Sequence, residues 1–269
     1  MTCFALEIQD GIAHLKLDRP DAFNSMNLEF WRELPVLVRD IDDGAKARVL
    51  VISSTGKHFS SGMDLSVFAA LGGEARPNLR QTIRSLQDSF NALALARIPV
   101  LAAIQGGCIG GAVDLIAACD CRYAAADAYF VIQEINLAMV ADCGTLPRLT
   151  YLMPEGMVRE LAYSGRRLPA ERALALGLVN AVLPDHGALL AHVLEVARDI
   201  AGKSPRAVTG TKRLLDYGRD RSVAETLDQA AAWQTAMLDP AEVMEAMAAR
   251  AEKRTPHFAD LPGRKKPAS

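Results

Sequence analysis

Three acidic residues are set in apolar stretches of the sequence. Asp114 lies within an apolar segment of helical length that follows a cluster of glycines, and Glu134 and Asp142 each have apolar neighbours. An ionised carboxylate in such surroundings is costly unless it is hydrogen-bonded or its pKa is raised so that it stays neutral. One acid of this kind is usually a helix cap or the partner of a buried cation, but three of them favour a single shared site.

Two glycines stand at the start of the segment that contains Asp114. Gly110 and Gly111 could serve close packing or a tight turn, which are common reasons for glycine in such a position. They also leave backbone N–H groups uncovered at the positive end of the predicted helix, where a developing oxyanion would be stabilised. An anion-binding position next to the acids is therefore predicted.

The composition restricts the class of protein and its partners. The chain has 269 residues, of which 50% are hydrophobic, so it can bury a substantial core. This length fits one large α/β domain with a smaller appendage as well as it fits two domains. The formal net charge is -2 and the isoelectric point is about 6.2. Because there is no basic surplus, neither nucleic acid nor an anionic membrane surface is expected as a partner.

The five cysteines do not have the spacing of a metal site. Most lie in apolar segments, and we expect them to be reduced thiols that pack as small hydrophobic side chains. The first residues lack the basic and apolar regions of a secretory signal, and the last residues do not form a peroxisomal signal. No apolar run is long enough to span a bilayer. The sequence thus predicts a cytoplasmic protein without a membrane segment.

Strand and helix patterns alternate through the first half of the chain. Residues 4–9 and 12–17 are expected to form a hairpin with Asp10 and Gly11 as its turn. A helix is predicted from the N-cap Asn27 to about residue 42. Further strands are predicted at 48–53, 99–105, 121–126 and 129–132, with helices at 79–96 and around Asp114. This alternation predicts an α/β protein with a largely parallel sheet and repeated ββα or βαβ units.

The last part of the chain is predicted to be mainly helical. Helices are expected at 144–152, 154–164, 169–176 and 186–202, with a strand at 179–183. Ser204 and Pro205 form a strong helix start, and two more helices follow at about 223–238 and 240–254. We therefore divide the chain into an α/β core, residues 1–203, and a helical C-terminal region, residues 204–269. The amphipathic character of that region favours subunit packing, with a self-contained helical subdomain as the alternative.

Two glycine motifs carry a family resemblance. Ser61-Gly62-Met63-Asp64-Leu65 follows a predicted strand, and Gly110-Gly111 leads through Asp114 to Cys119-Asp120. Together they resemble the paired signature of the crotonase superfamily, the enoyl-CoA hydratases and isomerases, and the likeness covers nearly the whole chain. The resemblance implies a crotonase-like fold of repeated ββα units with a helical C-terminal oligomerisation region. It also implies a homotrimer or a homohexamer.

The resemblance implies a chemistry as well. Proteins of this family bind acyl-CoA thioesters and form an enolate whose oxygen lies between two backbone N–H groups, which by motif position belong to Met63 and Gly111. No metal and no separate cofactor are expected, since coenzyme A is part of the substrate. The substrate-binding positions that the resemblance implies are Ser61, Gly62, Asp64, Leu65 and Gly110 in the motifs, and Lys253 and Phe258 in the tail, near the adenine end of CoA.

The set of acids resembles that of one subgroup. Hydratases of the family carry glutamates at the positions of Asp114 and Glu134 and glycine-rich sequence around Asp142. The acids of this chain instead resemble those of the Δ3,5-Δ2,4-dienoyl-CoA isomerases, which move a proton between two distant carbons of a conjugated acyl chain. Such a transfer calls for carboxylates at opposite ends of a pocket, a role that fits Glu134 and Asp142, with Asp114 orienting or tuning them. A hydratase of 2-enoyl-CoA and a catalytically silent CoA-thioester-binding protein are the alternatives.

Overall fold

A six-stranded sheet forms the centre of the protein in the computed structural model, which describes residues 3–64, 66–67 and 78–264. Its strands, in spatial order, are β1 (Phe4–Gln9), β2 (Ile12–Leu17), β3 (Val49–Ser54), β4 (Val100–Ile104), β6 (Cys121–Ala125) and β9 (Ala181–Leu183). β1 runs antiparallel to β2, and the other neighbouring strands of this sheet are parallel. The predicted α/β class with a largely parallel sheet is confirmed.

A tight turn joins β1 to β2. Asp10 has a φ of 51° and Gly11 a φ of 75°, a left-handed pair whose twist matches that of the flanking strands. The predicted hairpin is therefore confirmed together with its turn. The chain then passes through a helix before it reaches β3, which is why β2 and β3 can lie parallel.

A second, smaller sheet holds the glycine cluster. It consists of β5 (Gly107–Ile109), β7 (Tyr129–Val131) and β8 (Leu168–Pro169), in the order β5-β7-β8. β5 pairs in parallel with β7, and the next N–H along the chain, that of Gly110, donates to the Val131 carbonyl at 2.9 Å. The sequence pattern does not predict β5, which lies inside the glycine cluster, or β8, which has only two residues.

Within the described residues the structure gives the bounds of ten α-helices. They are α1 (Leu28–Asp43), α2 (Leu79–Ala94), α3 (Gly111–Ala117), α4 (Thr145–Leu149), α5 (Glu155–Ser164), α6 (Ala170–Leu176), α7 (His186–Ala201), α8 (Pro205–Tyr217), α9 (Val223–Met237) and α10 (Pro240–Ala251). Asn27 Oδ1 accepts the Phe30 N–H at the start of α1, and Ser204 Oγ accepts the Ala207 N–H at the start of α8. Of the helices that the structure describes, none is long and apolar enough to cross a membrane.

Helices cover both faces of the central sheet. On one face, Leu189 and Val193 of α7 share a buried cluster with Val49, Val51 and Leu101 of β3 and β4. The opposite face carries the larger core, to which α1, α2 and α3 contribute. Because apolar side chains cover both faces, β3 and β4 are buried along their whole length.

Polar contacts tie the C-terminal region to the core. Lys212 of α8 is buried, and its ammonium group donates to the Asp120 carboxylate at 2.8 Å. Arg48 donates to the Asp260 carboxylate and to the Phe258 carbonyl, each at 2.6 Å. The division proposed after residue 203 falls in the turn between α7 and α8 and stays a prediction. Exposed apolar side chains on α9, on α10 and between them are Leu227, Leu238, Val243, Met244 and Met247.

Candidate active site

A cavity of about 520 Å³ opens beside α1, α2 and α3. Its lining residues are Trp31, Ser61, Met63, Leu79, Ile83, Leu86, Gly110, Gly111, Asp114, Gln133, Glu134, Leu137, Met139, Val140, Asp142 and Cys143. The three acids singled out in the sequence are therefore brought together at one site. Most of the other side chains are apolar, so a charge inside the cavity is poorly solvated and interacts strongly with its neighbours.

Asp114 is the buried member of the three acids. It lies in the first turn of α3 and is 2% exposed. Its Oδ1 accepts a hydrogen bond of 2.7 Å from the backbone N–H of Thr145, the first residue of α4. Burial and then the charge of Glu134 raise the pKa of Asp114 to about 7, while the hydrogen bond from Thr145 opposes part of that rise. Asp114 can therefore change its protonation state near neutral pH.

Glu134 begins a short 3-10 turn, Glu134–Leu137, after β7. Burial raises the pKa of this half-buried carboxyl, and the charge of Asp142 adds to the rise. Its Oε2 is buried without a hydrogen-bond partner among the described residues. Its Oε1 faces Gly110, where an added Cβ would lie 3.3 Å away. A carboxyl with an unpaired buried oxygen beside the glycine cluster is a candidate acid or base.

Asp142 lies at the exposed side of the cavity, on the irregular segment before α4. Its Oδ1 accepts a long hydrogen bond of 3.5 Å from the Cys143 thiol. Its backbone carbonyl accepts a bond of 2.7 Å from Gln87 Nε2 on α2. The charge of Asp142 raises the pKa of both Asp114 and Glu134, so the three acids are electrostatically coupled.

The backbone amides of Met63 and Gly111 lie close together. An added Cβ at Gly62 would lie 3.2 Å from the Gly111 nitrogen, and one at Gly111 would lie 3.7 Å from the Met63 nitrogen. Neither N–H donates a hydrogen bond to another group in the described part of the chain. Gly62 has a φ of 85°, and a Cβ there would collide with the Ile109 carbonyl, so the close approach requires glycine. Two adjacent unpaired donors are suited to a developing oxyanion.

Asp64 joins the first glycine motif to the segment that contains Ser25. Its carboxylate accepts hydrogen bonds from Ser66 N at 3.0 Å, from Ser66 Oγ at 2.7 Å and from Ser25 Oγ at 2.7 Å. These bonds lower the pKa of Asp64 to about 2. Because its oxygens are already used and it does not line the cavity, we interpret Asp64 as fixing the first glycine motif in place. Its predicted contact with the substrate has no support in this geometry.

The other predicted binding residues divide into two groups. Ser61 and Gly110 line the cavity. Lys253 is exposed after α10, and Phe258 lines a separate groove between α8, α9 and α10. Neither tail residue lines the cavity of its own chain, so their role at the adenine end of CoA stays a prediction. Leu65 lies outside the described residues.

Some residues that line the cavity belong to neither of the two glycine motifs. Trp31 comes from α1, and Ile83 and Leu86 come from α2. The amphipathic patterns of these helices identify their buried faces. They do not reveal which part of a buried face borders an internal cavity, because that depends on how the helices pack.

Comparisons with known proteins identify the family of this chain. A family model described as enoyl-CoA hydratase/isomerase matches residues 7–262. The peroxisomal Δ3,5-Δ2,4-dienoyl-CoA isomerase of Arabidopsis thaliana is 41% identical over 93% of this chain and 94% of that protein. The mitochondrial Δ3,5-Δ2,4-dienoyl-CoA isomerase of Homo sapiens is 41% identical over 91% and 78%. The structure of an enoyl-CoA hydratase from Polaromonas sp. JS666 has a TM-score of 0.87 at 26% identity and covers 95% of this chain and 99% of that one. The chain therefore belongs to the enoyl-CoA hydratase/isomerase family, which its two glycine motifs predicted.

Proposed function

We propose that this chain is a Δ3,5-Δ2,4-dienoyl-CoA isomerase, which converts 3,5-dienoyl-CoA to 2,4-dienoyl-CoA. The observation that carries the proposal is the third acid, because Asp142 lines the same apolar cavity as Asp114 and Glu134. Two relatives that bear this name are 41% identical to the chain, whereas the hydratase structure from Polaromonas is 26% identical. Site and relatives favour the same reaction.

The reaction moves one proton along the acyl chain. A carboxylate removes a proton from C2, and the electron pair of the broken C–H bond spreads through the conjugated system onto the thioester oxygen. A carboxylic acid then delivers a proton to C6, and the double bonds settle at C2–C3 and C4–C5. We assign these two steps to Glu134 and Asp142, in either order. The two groups exchange protonation states in one turnover and are reset through solvent.

Two features of the cavity support an enolate intermediate. The unpaired amides of Met63 and Gly111 are proposed as donors to the enolate oxygen, and each donor of this kind typically contributes about 2.7–4 kcal/mol. Asp114, with its pKa of about 7, carries a proton in a large fraction of molecules at neutral pH. A neutral Asp114 limits repulsion between the enolate and the other acids.

A panel of two substrates tests the proposed function. Isomerisation of 3,5-dienoyl-CoA creates a 2,4-diene conjugated to the thioester, which changes the ultraviolet absorbance. Hydration of 2-enoyl-CoA removes a conjugated double bond and its absorbance. We expect turnover of the dienoyl substrate. Turnover of 2-enoyl-CoA alone would establish a hydratase, and binding of both thioesters without turnover would establish a silent thioester-binding protein.

We also propose a homotrimer or homohexamer as the functional assembly. The exposed apolar side chains of α9 and α10 and the neighbouring groove of about 430 Å³ support it. In such an assembly Lys253 and Phe258 of one subunit could reach the CoA of another. Light scattering is expected to give three or six times the 29.0 kDa of one chain. A monomer at micromolar concentration would contradict the assembly.

A cytoplasmic location is a further proposal. All five cysteines are free thiols, which is compatible with any reducing compartment. The relatives from Arabidopsis and Homo sapiens are named peroxisomal and mitochondrial, respectively. Fractionation of the source cells, followed by immunodetection of this chain, distinguishes these locations.

A further inference from the structure

The position of Asp142 depends on side chains outside both glycine motifs. The residues from 138 to 144 form no helix or strand, and among the described residues no backbone–backbone hydrogen bond holds residues 140–143. Gln87 and Asn91, one turn apart on α2, contact it directly or through Arg148 of α4. We infer that Gln87, Asn91 and Arg148 form a clamp that positions Asp142 for proton transfer. The inference rests on the proposed isomerase function.

The first contact of the clamp joins α2 to the backbone of Asp142. Gln87 Nε2 donates to the Asp142 carbonyl at 2.7 Å. α2 is a firm support for this bond because it packs on α1, where Ser89 Oγ donates to the Trp31 carbonyl at 3.1 Å and both residues are buried. The carbonyl of Asp142 is thus held against a helix that belongs to the core.

The second contact passes through Arg148. Its Nη2 donates to Asn91 Oδ1 at 2.6 Å, and its Nη1 donates to the Cys143 carbonyl at 3.4 Å. The guanidinium also lies against Gly144, which has a φ of 122°, and a Cβ at Gly144 would collide with it. Arg148 therefore holds the two residues that follow Asp142 and connects them to α2.

Within the described part of the chain, the clamp forms no ion pair with the acids of the cavity. Arg148 pairs with the uncharged amide of Asn91 and with no carboxylate among the described residues. Burial lowers the pKa of Arg148, and the negative charge of Asp114 opposes part of that fall. A salt bridge to Asp142 would occupy oxygens that must exchange protons, and a salt bridge to Asp114 would favour the ionised form of that acid. The clamp positions Asp142 and places a positive charge nearby without forming such a salt bridge.

Loss of the clamp is expected to lower turnover without removing a reacting group. A displacement of about 1 Å in a reacting group can cost about a hundredfold in rate. Gln87→Ala, Asn91→Leu and Arg148→Met should each lower kcat for 3,5-dienoyl-CoA by about ten- to a hundredfold, with KM little changed. Gln81→Ala, on the exposed face of α2, is the matched control. Asn91→Asp keeps the acceptor oxygen for Arg148, and both of these variants should retain most of the activity.

Hydrogen–deuterium exchange at the carbons of the substrate distinguishes a positioning role from a general loss of structure. In D2O the wild-type enzyme is expected to label C2 of 3,5-dienoyl-CoA and C6 of 2,4-dienoyl-CoA, one carbon for each acid. Gln87→Ala and Asn91→Leu should slow labelling at one carbon only, the same carbon that Asp142→Asn affects. The double variant Gln87→Ala, Asp142→Asn should be no slower than Asp142→Asn alone, because the clamp acts through that acid.

Several results would overturn the inference. Equal slowing at both carbons, or additive losses in the double variant, would assign these residues to general stability. Wild-type kcat in Gln87→Ala and Asn91→Leu would show that Asp142 needs no clamp. Failure of the unaltered protein to isomerise 3,5-dienoyl-CoA would refute the proposed function itself, and the wild-type assay reveals that outcome independently of the variants.

Discussion

Asp114 and Asp142 line the same cavity but are held in different ways. Asp114 is 2% exposed on α3, and its carboxylate is bonded to the backbone of Thr145. Asp142 is exposed on an irregular segment that is bonded to side chains of α2 and α4. The core thus determines both the position and the raised pKa of the buried acid. The position of the exposed acid depends on partners that substitutions outside the motifs can change.

The largest effect on turnover is expected at the exposed acid. Asp142→Asn keeps the shape of the side chain but removes its ability to exchange a proton, and loss of a general acid or base typically costs about 10²–10⁴-fold in rate. KM and the melting temperature should change little, because the side chain is exposed and is not part of the core. Steady-state kinetics and thermal unfolding measure these quantities. Near-full isomerase activity would refute the role of Asp142.

The proposed role of the Gly111 N–H as an oxyanion donor can be tested by substitution, since Gly111 is the first residue of α3. Gly111→Pro removes the backbone N–H, and one oxyanion donor is typically worth about 10²–10³ in kcat. Proline is tolerated in the first turn of a helix, so a folded variant that binds thioester but is inactive is expected. Gly111→Ala is the control, since it keeps the N–H and its Cβ would meet the flexible Met26 side chain at 3.3 Å. Normal turnover in a folded proline variant would place the oxyanion elsewhere.

At the buried acid we expect an effect on stability that depends on pH. The pKa of Asp114 is about 7 in the folded chain, against an ordinary value of 3.8, so the folded state binds this proton more tightly than the unfolded state. Its contribution to stability is present below about pH 3.8 and is lost as the pH rises to about 7. Asp114→Asn stays neutral and keeps an acceptor for the Thr145 N–H. The variant should therefore gain stability over wild type at pH 8 and much less at pH 4, measured by urea unfolding. An equal gain at both pH values would contradict this account.

The smallest expected effect is a shift in the pKa of Asp114 when one of its two acidic neighbours is neutralised. Glu134 is the main charge that raises the pKa of Asp114, and Asp142 is a weaker one. Glu134→Gln should therefore lower the pKa of Asp114 more than Asp142→Asn does. NMR of the side-chain carboxyl carbons over a pH series measures both shifts. The reverse order would mean that the acids lie differently from the arrangement described above.

Local structure was predictable where it depends on neighbours in the chain. The turn at Asp10 and Gly11 and the caps at Asn27 and Ser204 are confirmed, because each uses bonds or dihedral angles within a few residues. The predicted helix 144–152 is shorter in the structure, where α4 ends at Leu149. Helix ends depend on tertiary contacts and are the least reliable part of such predictions.

The sequence by itself determined the family through two glycine motifs, and it singled out the three acids that line one cavity in the structure. The family resemblance paired the amides of Met63 and Gly111, but only the tertiary structure gave their separation and decided that Asp64 ties two segments together. The contact between Gln87 and Asp142 was likewise decided there. These contacts join segments that are far apart in the chain. Periodicity reports which face of an element is buried, but the partner of a polar side chain depends on how whole elements pack, which no local pattern encodes.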